Sequence, residues 1–97
     1  MFWTYILYSS DYEKYYIGFT HDLEGRLIAH NHPKNKGYTK RFQPWIIVYS
    51  KSFNAKKEAM DFELYLKSLK SKQAISEIIN MSKMNSSLGS YPDAIGT

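Results

Sequence analysis

The stretch that decides the fold is residues 2–20, FWTYILYSSDYEKYYIGFT. Its outer segments, FWTYILYSS and YYIGFT, are rich in aromatic and β-branched residues, which favour strands, and the polar DYEK between them is typical of a turn. A connection of about four or five residues is usual for a hairpin. The stretch therefore predicts two antiparallel strands, in which the neighbours Tyr15 and Tyr16 face opposite sides of the sheet.

The residues after the hairpin change to a helical period. Leu23 and Leu27 lie one turn apart, and Thr20 or His21 is suited to cap the helix. Pro33 is expected to end it. A helix is therefore expected to follow the second strand directly.

The second half of the chain predicts one strand and two helices. After a basic loop at residues 31–43, PWIIVYSKSF is a largely continuous apolar run, typical of a central or well-covered strand. Asn54 is suited to cap a long helix, and SKQAISEIIN predicts a shorter final helix. The apolar stripe of the long helix comprises Ala59, Phe62, Leu66 and Leu69.

This order, strand-strand-helix-strand-helix-helix, predicts an α+β fold: a small three-stranded antiparallel sheet flanked by helices. Periodicity is lost from residue 81, where Ser, Gly and Asn become frequent. We therefore expect one domain over residues 1–80 and a loosely attached C-terminal tail over residues 81–97.

Composition limits the class of protein. The chain has 97 residues, of which 43% are hydrophobic and 16% aromatic, and this suits one folded domain with a modest core. Cysteine is absent, which excludes disulfides and thiolate zinc sites. The longest apolar run, residues 1–8, is too short to span a membrane and lacks the features of a signal peptide. We therefore expect a cytoplasmic protein without a membrane partner.

Positive charge is concentrated in the middle of the chain. The net charge is +4, and no Asp or Glu lies between Glu24 and Glu58. Such segregation favours a nucleic-acid partner slightly over a merely solvated basic surface. The basic residues of this interval are Arg26, Lys34, Lys36, Lys40, Arg41, Lys51, Lys56 and Lys57.

Two side chains of the predicted first helix are candidates for phosphate chemistry. Arg26 and His30 are four residues apart, so they project from one helical face, beside the leucine stripe. An arginine at the boundary between helix and sheet can hold a phosphate through two parallel hydrogen bonds. Taken alone, the pair is better explained as an ordinary surface arginine and a histidine that caps a helix end.

Glu63 is the candidate metal ligand. It lies close to the apolar stripe of the long helix, whereas Lys56, Lys57 and Lys67 can face water. A carboxylate there is costly unless it pairs with a lysine or binds a cation. One carboxylate with waters and substrate phosphates commonly holds Mg²⁺. Because no other cluster of acids is evident, we expect one Mg²⁺ or Mn²⁺ ion rather than two.

In combination, these residues resemble the GIY-YIG nuclease family, in particular its small stand-alone single-domain branch. TYIL at residues 4–7 is similar to the first motif, with Tyr5 as its tyrosine, and YIG at residues 16–18 matches the second motif literally. RLIAH at residues 26–30 is similar to the segment with the family's arginine. EAMDFELYLK resembles the helix whose glutamate binds metal, which is Glu63 here. The resemblance covers about residues 2–80.

The resemblance implies a metal-dependent endonuclease that hydrolyses phosphodiester bonds in DNA. Arg26 would hold the non-bridging oxygens of the scissile phosphate, and Glu63 would hold the metal ion. Tyr5 or Tyr16, helped by His30 or a lysine, would take a proton from the attacking water, and the sequence does not choose between the two phenols. Cleavage is expected to be structure-selective or weakly sequence-selective, in DNA repair, recombination or processing.

Other residues are expected to serve binding. Gly18 would let a substrate or a helix backbone approach the end of the second strand closely. The expected partner is double-stranded or branched DNA, bound by a monomer or a weak dimer, with room for a protein partner that targets it. Non-specific backbone contacts would come from Lys34, Lys36, Lys40 and Arg41.

Two other functions stay open at this point. The fold could serve as a nucleic-acid-binding module with weak or no catalysis, because Trp3 and Thr4 replace the Gly-Ile of the first motif and no asparagine follows Glu63 in LYLKSLKSK. Such a module would bind DNA in a salt-sensitive manner without metal-dependent cutting. A tyrosine-rich protein-interaction surface would instead bind with no sensitivity to salt or to Arg26→Ala.

Overall fold

The computed structural model describes the backbone of residues 1–88 and the side chains of residues 1–83. The predicted order of three strands and three helices is confirmed, with an additional 3₁₀ helix in the predicted basic loop. The elements are β1 (Phe2–Ser9), β2 (Lys14–Thr20), α1 (Leu23–Asn31), the 3₁₀ helix Tyr38–Phe42, β3 (Ile46–Phe53), α2 (Lys56–Ser68) and α3 (Lys72–Leu88).

The three strands form one antiparallel sheet in the order β2-β1-β3. β1 is the central strand, so the prediction that the third strand is central or well covered is wrong. Residues 4–7 of β1 are all buried, because helices cover the sheet on both faces. β3 is an edge strand in which Ile46 is exposed and no residue is fully buried. An apolar run alone does not distinguish these two positions.

Alternate residues of β1 belong to two separate cores. The core on the α1 side contains Tyr5, Leu7, Phe42 and Trp45. The core on the side of α2 and α3 contains Ile6, Leu66, Ile75 and Ile79. Tyr16 packs against the first core and Tyr15 against the second, which confirms that these neighbours face opposite sides of the sheet.

The start of α1 differs from the predicted one. Its N-cap is Asp22, whose carboxylate accepts a hydrogen bond from the Gly25 N–H at 3.0 Å, so the predicted caps Thr20 and His21 are wrong. Thr20 instead accepts a hydrogen bond from the Asp22 N–H through its hydroxyl, also at 3.0 Å. The two bonds tie the end of β2 to the start of α1, which places the first turn of α1 beside the end of the hairpin.

Two helix boundaries in the second half also differ from the predicted ones. The N-cap of α2 is Ala55 rather than Asn54, and the Ala55 N–H donates to the Glu58 carboxylate at 3.3 Å. The aperiodic tail predicted from residue 81 is wrong for residues 81–88, which continue α3. Serine and asparagine there lower helix propensity, but no glycine or proline interrupts the helix. Residues 89–97 of the predicted tail lie outside the described residues.

No helix in the described part of the chain is both long enough and apolar enough to cross a membrane.

Candidate active site

A groove of about 750 Å³ opens where β1 begins and β2 ends. Four of the five predicted catalytic residues line this central groove, and each comes from a different element: Tyr5, Tyr16, Arg26 and Glu63. The hairpin brings the two tyrosines onto one face of the sheet, α1 begins directly after the hairpin, and α2 contacts both β1 and β2. The packing of these four elements therefore creates the site.

The fifth predicted residue, His30, is connected to the groove through Tyr5. The Tyr5 hydroxyl lies 3.0 Å from His30 Nε2, and the Thr39 hydroxyl lies 2.8 Å from His30 Nδ1. The side-chain amide of Asn35 donates to the same Thr39 hydroxyl at 2.9 Å. Both ring nitrogens of His30 are engaged and the ring is buried, so His30 contacts Tyr5 without lining the central groove; it lines the neighbouring cavity of about 250 Å³.

Burial determines the protonation states of this pair. It raises the pKa of the Tyr5 phenol far above its ordinary value; nearby Tyr16 and Glu63 add to the increase, whereas Arg26 opposes it. Burial also lowers the pKa of His30, and Arg26 lowers it further. At neutral pH, Tyr5 is therefore protonated and His30 is uncharged.

Tyr16 is more accessible than Tyr5. Its side chain is half-buried, whereas Tyr5 is 2% exposed. The Tyr16 ring centroid lies 4.8 Å from that of His30 and 6.4 Å from that of Tyr5. Tyr16 also lines two cavities next to the central groove, of about 250 and 420 Å³. Both motif phenols line the central groove, but of the two only Tyr16 also lines the neighbouring cavities.

Gly18 makes room for the phenol of Tyr5. The two residues are direct partners across β1 and β2. A Cβ added at Gly18 would lie 2.7 Å from the Tyr5 hydroxyl oxygen and 2.8 Å from Cζ. The close approach predicted for a substrate or a helix backbone is therefore made by the Tyr5 ring, an aromatic side chain that covers a glycine of an edge strand.

Glu63 places a carboxylate in the groove. Its side chain is 15% exposed, and its Oε2 lies 3.2 Å from Lys67 Nζ. Lys67 is half-exposed and stays close to the tyrosines, since it lines a cavity together with Tyr16. Among the described residues, no three His, Asp or Glu side chains converge as an all-protein metal site would require. One accessible carboxylate does fit a single Mg²⁺ or Mn²⁺ ion whose other ligands are waters and phosphate oxygens.

Two cations also line the central groove. Arg26 was expected there, and its exposed side chain projects from α1. The other cation is Lys56, the first residue of α2, which was expected to face water. The helical period could not reveal its place in the groove, because it does not show that the end of β2 reaches the start of α2. Thr39, which holds His30, was also missed. Its only sequence signal is its place in GYTKRFQPWIIVY, a segment similar to the family's loop and third strand.

The predicted DNA contacts of the basic loop lie outside the central groove, on the exposed surface between α1 and β3. The Lys40 ammonium donates to the Pro33 carbonyl, and the Arg41 guanidinium lies 5.4 Å from the Phe42 ring centroid. A role in DNA binding stays a prediction for Lys34, Lys36, Lys40 and Arg41.

The class of protein follows from the sequence, the fold and the groove together. The family model described as "GIY-YIG catalytic domain" matches residues 1–76, and the chain belongs to the GIY-YIG nuclease family, as its motifs predicted. Members of this family are generally endonucleases, and GIY-YIG nucleases act on DNA.

Small single-domain relatives match most of the chain. It is 38% identical over 80 residues to UPF0213 protein YazA of Bacillus subtilis, covering 82% of this chain and 79% of YazA. It is 42% identical over 80 residues to UPF0213 protein YsiG of Lactococcus lactis, covering 81% and 76% respectively. The solution NMR structure of UPF0213 protein BH0048 from Bacillus halodurans superimposes with a TM-score of 0.53 at 30% identity, over 84% of this chain and 85% of that one.

Proposed function

We propose that this protein is a divalent-metal-dependent endonuclease that hydrolyses phosphodiester bonds in DNA. The observation that supports this most strongly is the central groove, which brings together two phenols, a guanidinium and a carboxylate: those of Tyr5, Tyr16, Arg26 and Glu63. The finer parts of the proposal are selectivity for DNA structure and a role in DNA repair, recombination or processing in the cytoplasm.

In this proposal the charged residues of the groove bind the scissile phosphate. Arg26 contacts its non-bridging oxygens, where a pre-placed guanidinium stabilises the charge that develops in the transition state. Glu63 holds one Mg²⁺ or Mn²⁺ ion, which when bound stabilises the leaving 3′ oxygen. Lys67 balances the charge of Glu63 in the free protein, because the Glu63 side chain is only 15% exposed.

Tyr16 is the phenol that we assign to take a proton from the attacking water, while its own hydroxyl proton passes to solvent in the central groove. Tyr5 is poorly suited because burial raises its pKa and its hydroxyl is bonded to His30. Tyr16 lines the central groove, and its hydroxyl has no hydrogen-bond partner among the described residues. Tyr5 and His30 then act as positioning residues, because the Tyr16 ring packs against both of their rings.

The metal assignment is tested by incubating nicked, branched and plain duplex DNA with the protein and Mg²⁺ or Mn²⁺. Glu63→Gln removes the carboxylate charge at nearly constant shape, and we expect cleavage to fall on the order of 10²–10³-fold. Asp61→Asn is the matched control, because it removes one charge from the exposed side of the same helix, and it should cleave like the wild type. Wild-type cleavage by Glu63→Gln would refute this role of Glu63.

The two phenols are separated by a pair of matched variants, since Tyr16→Phe and Tyr5→Phe each delete one oxygen atom. Tyr16→Phe is expected to lower kcat by about 10²–10⁴-fold, the range for loss of a general base. Tyr5→Phe should lower kcat less and affect mainly stability, because it breaks the buried bond to His30. A larger loss of kcat in Tyr5→Phe than in Tyr16→Phe would reverse the assignment.

A second candidate, a DNA-binding module without catalysis, is favoured by the ion pair between Glu63 and Lys67. That pair gives the carboxylate a partner and a structural role without any metal. The module predicts salt-sensitive DNA binding and no cleavage with either ion. The same incubation therefore decides between the two functions.

A further inference from the structure

A second cavity, of about 420 Å³, lies between the edge of β2 and the turn that joins α2 to α3. Its lining includes the apolar side chains of Ile17, Leu66 and Ile75, of which Leu66 and Ile75 are buried in the core below. Its lysines, by which we name it the lysine groove, are Lys14, Lys67, Lys70 and Lys72.

The charge of the lysine groove is one-signed, because no Asp or Glu is among the described residues that line it. Lys67 is partly neutralised by Glu63, and the Lys14 ammonium lies 5.2 Å from the Phe42 ring centroid. Lys70 and Lys72 are exposed and form no ion pair with an acid among the described residues. A surface of this kind attracts a polyanion.

Two of these lysines occupy positions that local physics disfavours. Lys70 follows the last residues of α2 with φ = 51°, in the left-handed region where glycine is strongly preferred. Lys72 is the first residue of α3, where its positive charge is repelled by the positive end of the helix dipole. The first turn of α3 contains no acid that would offset this repulsion. Functional or strained sites are where a sequence is expected to break local rules. Here both contribute a cation to one groove.

The lysine groove adjoins the central groove at two residues. Tyr16 lines both of them. Lys67 lines the lysine groove and pairs with Glu63, which lines the central groove. A strand whose phosphate lies against Arg26 and Glu63 can therefore continue past Tyr16 into the lysine groove.

Duplex DNA presents mainly phosphates at its outer surface, whereas an unpaired strand also exposes bases that need apolar or aromatic contacts. The lysine groove provides both kinds of contact, since lysines accompany apolar side chains and the ring of Tyr38, which is 57% exposed. We propose that the lysine groove binds an unpaired DNA strand that continues from the scissile phosphate. The inference rests on the proposed function, and it names a substrate feature that this function leaves open.

Binding without metal tests the inference separately from catalysis. The protein is titrated into a labelled single-stranded oligonucleotide, or into a blunt duplex, and anisotropy is followed over a series of salt concentrations. The variants are Lys70→Gly and Lys72→Gln. Lys51→Gln is the matched control, because it removes the same charge from an exposed site on β3, the opposite edge of the sheet.

Each groove variant should weaken single-strand binding about 5-fold at 0.1 M salt, and reduce the slope of log K against log salt by about 0.7. Lys70→Gly should also raise the midpoint of thermal unfolding, because glycine suits the left-handed position. Lys51→Gln should keep the salt slope of the wild type. Weaker DNA binding by a more stable protein cannot be explained by partial unfolding.

Wild-type single-strand affinity and salt slope in both groove variants would overturn the inference. If such variants still cleave DNA in the presence of metal, only the lysine groove is wrong and the proposed function stands. Equal losses on single strand and blunt duplex would overturn the assignment to an unpaired strand. If the wild-type protein neither binds nor cuts any DNA, the proposed function fails together with the inference.

Discussion

Replacing Gly18 with alanine tests whether the glycine of the YIG motif makes room for Tyr5, the tyrosine of the TYIL motif. The new Cβ would lie 2.7 Å from the Tyr5 hydroxyl oxygen, about 0.7 Å inside the 3.4 Å at which ordinary contact begins. The Tyr5 ring cannot move away freely, because it is 2% exposed and its hydroxyl lies 3.0 Å from His30 Nε2. Either the ring moves and that hydrogen bond is lost, or the two strands separate locally.

The expected cost follows from overpacking. A methyl group forced into a filled site destabilises by about 1–3 kcal/mol. Tyr5→Phe alone removes one buried hydrogen bond and should cost about 0.5–1.5 kcal/mol. In the double variant Gly18→Ala/Tyr5→Phe, the contact between the new Cβ and the hydroxyl oxygen is absent, although Cζ of the ring would still be 2.8 Å from the new Cβ. The double variant should therefore be more stable than the sum of the single effects predicts, by at least about 0.5 kcal/mol.

Equilibrium urea unfolding of the wild type, the two single variants and the double variant measures this departure from additivity, which is the coupling free energy between the two positions. Gly37→Ala is the control, since among the described residues its Cβ would have only one near neighbour, the Asn35 side-chain oxygen at 3.3 Å, on an exposed segment. We expect Gly37→Ala to change the free energy of unfolding by less than about 0.5 kcal/mol. Additive effects of Gly18→Ala and Tyr5→Phe would refute the conclusion that this glycine exists to accommodate the phenol.

Three further predictions concern polar groups that are buried or partly buried. Folding lowers the pKa of His30 from its ordinary 6.5, so its contribution to stability is complete above about pH 6.5 and is lost as the pH falls from there through the folded pKa. As the pH is lowered across this range, the urea midpoint of the wild type should decrease, and that of His30→Gln should decrease less. Asn31 accepts from the Trp45 N–H at 2.7 Å and donates to the Trp45 carbonyl at 2.9 Å, so Asn31→Ala should cost about 1–3 kcal/mol, and an unchanged urea midpoint would contradict this. The buried Ser9 hydroxyl has no partner among the described residues, so Ser9→Ala should raise the unfolding free energy by up to about 1 kcal/mol, whereas a decrease would show that the hydroxyl is satisfied.

Much of the fold was predictable because it depends on local preferences. Aromatic and β-branched residues around a polar turn specify the hairpin of β1 and β2, and leucines one turn apart specify α1. The alternation of Tyr15 and Tyr16 between the two cores follows from strand geometry in the same way. Candidate site residues such as Arg26 were also recognisable, since the family motifs are short and contiguous.

Some errors concern properties that several elements determine together, and others concern small local differences. Whether a strand is central depends on what covers each of its faces, so the apolar run of β3 did not show that β3 is an edge strand. The Asp22 cap and the continuation of α3 through residues 81–88 depend on small differences in local free energy. Contact between Thr39 and His30 requires the segment after α1 to fold back on that helix.

The sequence by itself determined the kinds of elements, their order, and the family, because periodicity and motifs are written in consecutive residues. Only the tertiary structure decided that Tyr5 is buried and bonded to His30 while Tyr16 lines three adjoining cavities. It also decided which lysines accompany the tyrosines: Lys56 beside the central groove, and Lys70 and Lys72 in the lysine groove. The physical reason is that burial, pKa shifts and grooves arise from surfaces that meet only when the helices pack on the sheet.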